Sequence, residues 1–317
     1  MSMIIDVHYH SIPYLSEEAI KRYGIGLLHW ARLLGHDPDE ASIIKKCREI
    51  MVDPTGEKLI AHMDDTGIDL TMICAVDNSD EKSITAEKMQ DYNKILTDIC
   101  NRYPKRVLAL AGVDPRRPEA PDMLKQCFEE FGVIGLKYHP DIGYFPAGPE
   151  SYRLLEIVDR HKGILLTHCA PIRPPRRPKF SEDALLLSDI GIDFPNIKVI
   201  AAHMGMANWR PWANLASNQP NFYGDMAAWD ILALRHYELF CRELRDLIDL
   251  SDINKVLFGS DSPFFDVVRP IKNYVTLIRE LPNKAPDGIK FTEAEVSAIL
   301  GGNAASLLGF ESSDSAR

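Results

Sequence analysis

The sequence predicts an α/β fold of the (β/α)8, or TIM-barrel, class with a small helical cap inserted after strand 1. Three observations predict it. Short apolar runs alternate with longer amphipathic stretches along the whole of the 317 residues. Eight such runs can be counted, each followed by a stretch of helical spacing, the pattern of a closed parallel barrel. Several runs end in histidine or aspartate, and this kind of barrel places its catalytic groups at the ends of several strands.

The first strand is read at 3–9, where Met3-Ile4-Ile5 leads into Asp6-Val7-His8-Tyr9-His10. Further strands are read at 69–76, 107–113, 133–139, 163–168, 197–203, 221–226 and 255–261. The run at 221–226, Asn-Phe-Tyr-Gly-Asp-Met, is the least strand-like. Between them, Met89, Tyr92, Ile95, Leu96 and Ile99 recur at helical spacing and predict a helix over 84–103. Others are predicted over 152–161 and 232–250, with Pro104, Pro195 and Pro282 marking helix ends.

Two connections stand out. The stretch 11–55 is too long for a plain turn, and Ile25, Leu27, Leu28, Leu33 and Leu34 predict a helical cap beside His10. The stretch 170–180 is stiffened by prolines and carries Arg173, Arg176, Arg177 and Lys179. It is read either as a solvated loop or as a carboxylate trap, with Arg173 nearest to His168 in sequence.

The bulk composition narrows the function. A chain of this length can form a single domain over 1–317, including the cap. An apolar fraction of 45% and a charged fraction of 26% are those of a soluble globular protein. The formal net charge of -10 argues against a nucleic-acid partner, whose backbone demands clustered lysine and arginine. No run approaches the ~18 apolar residues of a membrane span, so no membrane partner is expected. The six cysteines include no Cys-x-x-Cys pair, which points away from a disulfide framework and towards a reducing cytoplasm. A small-molecule substrate is expected, and a homo-oligomer is compatible with the sequence.

Strand parity selects the candidate site. Alternation along strand 1 places Asp6, His8 and His10 on one face. His168 ends the fifth run, and Asp261 follows Leu257 and Gly259 on one face of the eighth. His8, His10, His168 and Asp261 then offer three nitrogens and a carboxylate to one divalent ion, with zinc favoured and iron or manganese admitted. Asp261 can also move a proton, and His203, ending the sixth run, is the second candidate catalytic group. Lys137 and His139 end the fourth run and are candidate substrate-binding residues, with Arg173 as a third. His62, His161 and His236 are expected to face solvent. Trp209, Trp212, Trp229, Phe264 and Phe265 are read as either pocket lining or loop anchors.

These residues carry a resemblance. Ile5-Asp6-Val7-His8-Tyr9-His10, Gly135-Leu136-Lys137-Tyr138-His139-Pro140, Thr167-His168, Ala202-His203-Met204-Gly205 and Phe258-Gly259-Ser260-Asp261-Ser262-Pro263-Phe264 occur in order over nearly the whole chain. Together they resemble the amidohydrolase superfamily, in the branch that includes aminocarboxymuconate semialdehyde decarboxylase. The resemblance implies a (β/α)8 barrel, one divalent metal on His8, His10, His168 and Asp261, and a catalytic His203. Many superfamily members bridge two metals with a carboxylated lysine near the place of Lys137, which keeps a binuclear site as the minority reading.

The leading expectation is a metal-dependent hydrolase acting on a C–N, ester or lactone bond of a small carboxylated or cyclic molecule, through a metal-activated water. The alternative is a nonoxidative decarboxylase on the same scaffold. A noncatalytic metal-binding protein would be expected to have lost one of these groups, and none is missing.

Overall fold

The computed structural model describes residues 3–171 and 178–310. Eight parallel strands pair in chain order: β1 (Ile5–His10), β2 (Leu70–Cys74), β3 (Val107–Gly112), β4 (Gly135–Tyr138), β5 (Ile164–His168), β6 (Lys198–Ala202), β7 (Phe222–Asp225) and β8 (Val256–Leu257). The segment from Phe258 to Ser262 returns to β1. Val7 N donates to Phe258 O at 3.0 Å, Asp261 N to His8 O at 2.9 Å and His10 N to Ser262 O at 2.7 Å. These bonds draw the sheet into the expected barrel.

The eighth strand is much shorter than the sequence suggests. It stops at Leu257, and four residues on, Asp261 takes a positive φ of 55°. The seventh, least strand-like in sequence, does pair on both sides. The helix expected over 232–250 is two helices, Trp229–Arg235 and Tyr237–Leu250, divided where His236 takes an extended φ of -148°. Pro282 does not end its helix; it sits inside Ile271–Lys284, in the last turn.

Leu70, Met72, Leu110, Leu166, Ile200 and Leu257 fill the barrel with Ile5 and Val7 of β1. Ala304 and Leu307 of the helix Asn303–Leu308 belong to the same apolar cluster. That end is tightly closed: a Cβ on Gly301 would stand 1.9 Å from the Met3 carbonyl oxygen, so only glycine fits.

The cap is real and helical. Helix α1 (Glu17–Leu33) starts at Ser16, whose side chain accepts from Ala19 N, and helix α2 (Glu40–Met51) starts at Asp39, which accepts from Ser42 N. Ile20, Leu27, Leu28, Ile43, Cys47 and Met51 form a small core of their own with Ile12 and Val267. The cap therefore docks on the segment that follows β8, while Ile25, expected to face inward, is half exposed.

Candidate metal centre

The site is built where β1 is irregular. Asp6 lies opposite Thr71 and Tyr9 opposite Ile73, so β1 carries one extra residue between them. A bulge of this kind changes which side chains face inward. Ile5 and Val7 share the interior apolar cluster, and after the bulge His10 faces Cys74, another member of it. Asp6 therefore does not join the histidines, contrary to what simple alternation predicts. Its carboxylate instead accepts from His8 N, Ser260 N and Ser260 Oγ, which ties β1 to the turn that carries Asp261.

His8, His10 and Asp261 converge. The Nε2 atoms of His8 and His10 lie 3.1 Å apart, and Asp261 Oδ1 is 3.6 Å from His8 Nε2 and 3.1 Å from His10 Nε2. All three are buried. Lys137 Nζ donates to His8 Nε2 at 2.9 Å, reaching inward from β4. The ring of His203 lies 5.3 Å from that of His8 and 4.8 Å from that of His168. Among the described residues, two sets of donor atoms lie within 4.8 Å of one another: those of His8, His10 and Cys74, and those of His8, His203 and Asp261.

Hydrogen bonds set the tautomers. His8 Nδ1 is 3.0 Å from Asp225 Oδ2, so Nδ1–H donates to the carboxylate and Nε2 keeps its lone pair. This carboxylate–histidine pairing is what orients a metal-binding imidazole. His203 Nδ1 faces Ala227 O at 3.0 Å, leaving Nε2 as its basic atom. His168 Nε2 faces Ala170 O at 3.1 Å, which makes Nδ1 its basic atom. His168 thus lies beside the cluster without pointing its Nε2 into it. His139 stacks on His168 with ring centroids 4.5 Å apart, and its Nδ1 pairs with Asp141.

Burial and neighbouring charge set the protonation states of the cluster. Burial, reinforced by the Lys137 cation, pushes His8 down to about 4, so it is neutral near pH 7. Burial and the neighbouring His139 and His203 hold His168 well below its ordinary value. Burial alone would raise Asp261, but its bond from His10 and the nearby histidines outweigh that and hold it ionised. Burial would lower His10, but Cys74 and Asp261 lift it to about 9. His8 and His168 are neutral and Asp261 is ionised; with His10, which gives up its Nε2 proton when an ion binds, they make a donor set that fits a divalent ion.

Backbone strain gathers here. His203, Met204 and Asp261 all have positive φ, at 65°, 53° and 55°. His203 is not the end of a strand but the first residue of the turn after β6. Its amide donates to Asp225 Oδ1 at 2.9 Å, and Trp229 Nε1 donates to its carbonyl at 2.9 Å.

The remaining expectations divide. Arg173, Arg176 and Arg177 lie outside the described residues. Phe264 stands edge-on to His10, at 5.0 Å between centroids, and Tyr23 of the cap meets Phe264 at 5.1 Å. The cap therefore reaches the site through Phe264. Trp209 and Trp212 anchor instead in the outer core. His161 and His236 are exposed, but His62 is half-buried and pairs with Asp266 at 3.4 Å, because its helix packs where the turn after β8 presents that carboxylate. Asp225 and Cys74 were missed as site residues. The one signal for Asp225 was its place at the end of a run, obscured by the polar character of 221–226.

Among the described residues no helix is long and apolar enough to cross a membrane. No curated protein matches the chain by sequence. Solved structures match it over nearly its whole length. The chain is 18% identical to 5-carboxyvanillate decarboxylase from Sphingomonas paucimobilis, with a TM-score of 0.64 over 98% of this chain and 100% of that one. It is 18% identical to 2,6-dihydroxybenzoate decarboxylase, solved with 2,6-dihydroxybenzoate, at a TM-score of 0.66 over 98% and 100%. It is 17% identical to dihydroxybenzoic acid decarboxylase from Polaromonas sp. JS666, which holds manganese and 2-nitroresorcinol, at 0.65 over 98% and 97%. These relatives in structure are decarboxylases, which overturns the expectation of a hydrolase and turns the reading to the alternative. The family model for amidohydrolases matches residues 5–310, and on that match, which spans every strand of the barrel, the chain belongs to the amidohydrolase family.

Proposed function

We propose that this protein is a metal-dependent, nonoxidative decarboxylase of a small aromatic or cyclic carboxylic acid. The observation that carries the proposal is the buried cluster of His8, His10 and Asp261 with Lys137 Nζ against it. The full-length likeness to decarboxylases supports it. His8, His10 and Asp261 would hold the ion, with His168 as the fourth donor. When bound, the ion would supply fixed positive charge that anchors and orients an anionic substrate beside the proton donor. Zinc suits the nitrogen-rich set, and the manganese of the Polaromonas enzyme suits the same residue types.

Lys137 supports a carboxylate substrate. It is buried, and among the described residues no acidic side chain pairs with it. A buried ammonium without a counter-ion is costly, and a substrate carboxylate supplies one. In this reading Lys137 is not carboxylated and the site takes one ion. His139, beside His168, borders the same space, and Arg173 is retained as a candidate carboxylate contact.

Proton handling falls to His203 and Asp261. His203 Nε2 first takes up a proton from solvent, and its delivery to the ring carbon bearing the carboxylate prepares that carbon–carbon bond to break. The electron pair of the broken bond then returns to the ring as CO2 departs. Asp261 is the other group placed to relay that proton.

The test is direct. Protein loaded with manganese or zinc is offered hydroxylated and methoxylated benzoates in D2O. CO2 release with one deuterium at the vacated carbon is expected. Metal-loaded protein that releases no CO2 from any carboxylated ring would overturn the proposal.

A further inference from the structure

We propose that Cys74 is a positioning residue of the metal centre, holding His10 from Nδ1 as Asp225 holds His8. The inference rests on the reading of His8, His10 and Asp261 as metal ligands. Cys74 is the last residue of β2, fully buried, and the pairing partner of His10 across the β1–β2 ladder. Its Sγ lies 3.8 Å from His10 Nδ1, while His10 Nε2 faces His8 Nε2 and Asp261 Oδ1, each at 3.1 Å.

The two ring nitrogens thus have different tasks. An imidazole can ligate through Nε2 only if the proton sits on Nδ1, and that proton needs an acceptor. Carboxylates and carbonyls are the usual acceptors. At His8 the acceptor is Asp225. At His10 the structure provides a sulfur, a weak acceptor whose size suits the apolar barrel interior beside Met72 and Leu110. The same sulfur lies within 4.8 Å of the His8 and His10 donors, so direct ligation is the competing arrangement. The geometry favours the outer position, because Sγ meets the Nδ1 edge and the cluster gathers at the Nε2 edge.

Cobalt(II) separates these arrangements. Wild type, Cys74→Ser and Cys74→Ala are titrated with Co2+ and their absorption spectra recorded. Wild type is expected to show visible ligand-field bands without a near-ultraviolet sulfur-to-cobalt band. Cys74→Ser, which keeps an acceptor, should bind within a few-fold of wild type, and Cys74→Ala should bind about 10- to 100-fold more weakly. If Cys74→Ala folds poorly by circular dichroism, Cys74→Val, apolar and of similar size, carries the same expectation. A sulfur-to-cobalt band lost in Cys74→Ser would make Cys74 a ligand and overturn the proposal. Equal affinity in all variants would reduce Cys74 to packing. A wild type that binds no cobalt would refute the metal reading itself, and this inference with it.

Discussion

Asp225 Oδ2 accepts from His8 Nδ1, and Oδ1 of the same carboxylate accepts from the amides of His203 and Ala227. One side chain therefore fixes a proposed ligand and the proposed proton carrier together. Asp225→Asn is expected to weaken metal binding about 10- to 100-fold, as loss of an outer partner of a ligand generally does. Metal titration with circular dichroism as the folding control measures this; unchanged affinity would remove Asp225 from the site. His203→Ala should lower kcat about 100-fold or more while leaving metal content near normal, since its role is proton transfer. Metal lost along with activity would make His203 a ligand.

The turn that follows β8 is an irregular element held from two sides. Asp6 takes Ser260 N and Oγ, and Arg269 Nη2 donates to Ser260 O at 3.2 Å, so Asp261 keeps its left-handed conformation between fixed neighbours. Burial lifts Asp6 to about 7, against the bonds it accepts from Ser260 and His8. The unfolded chain loses that proton near pH 4, whereas the folded chain keeps it until about pH 7. The native state thus binds more protons in that window, and the Asp6 contribution to stability is lost as pH rises through it. Asn cannot titrate. The stability of Asp6→Asn relative to wild type should therefore improve steadily from about pH 4 to about pH 8. Denaturant midpoints across this range test it, and a difference independent of pH would be the contrary result.

Taken as a whole, the barrel gathers its candidate ligands from β1, the end of β5 and the turn after β8, segments spread over most of the sequence. An ion that binds only this assembled arrangement must stabilise the entire fold. At a free concentration of 100 times Kd, the gain is about 2.7 kcal/mol, which raises Tm by a few degrees for a domain of this size. Thermal scans with and without manganese or zinc, repeated on His10→Ala, check this. A rise that survives in His10→Ala would place the ion elsewhere. The acidic surface, with its net charge of -10, sets the chain apart from binders of polyanions and leaves Lys137 as a cation kept for the interior.

Local patterning was enough to determine the eight βα units and the cap between β1 and β2, and to nominate His8, His10, His168, His203 and Asp261, because alternation and helical spacing are properties of neighbouring residues. Those candidates could be nominated one strand end at a time. What only the tertiary structure decided are the relations across strands. The β1 bulge turns Asp6 away from the histidines. The pairing of β1 with β2 sets Cys74 against His10. Closure of the barrel brings Asp225 to His8 and ends β8 early in the turn that presents Asp261. Each depends on which residues of distant segments share a register, and register is fixed by packing the closed sheet around a common interior, where no single strand carries the information.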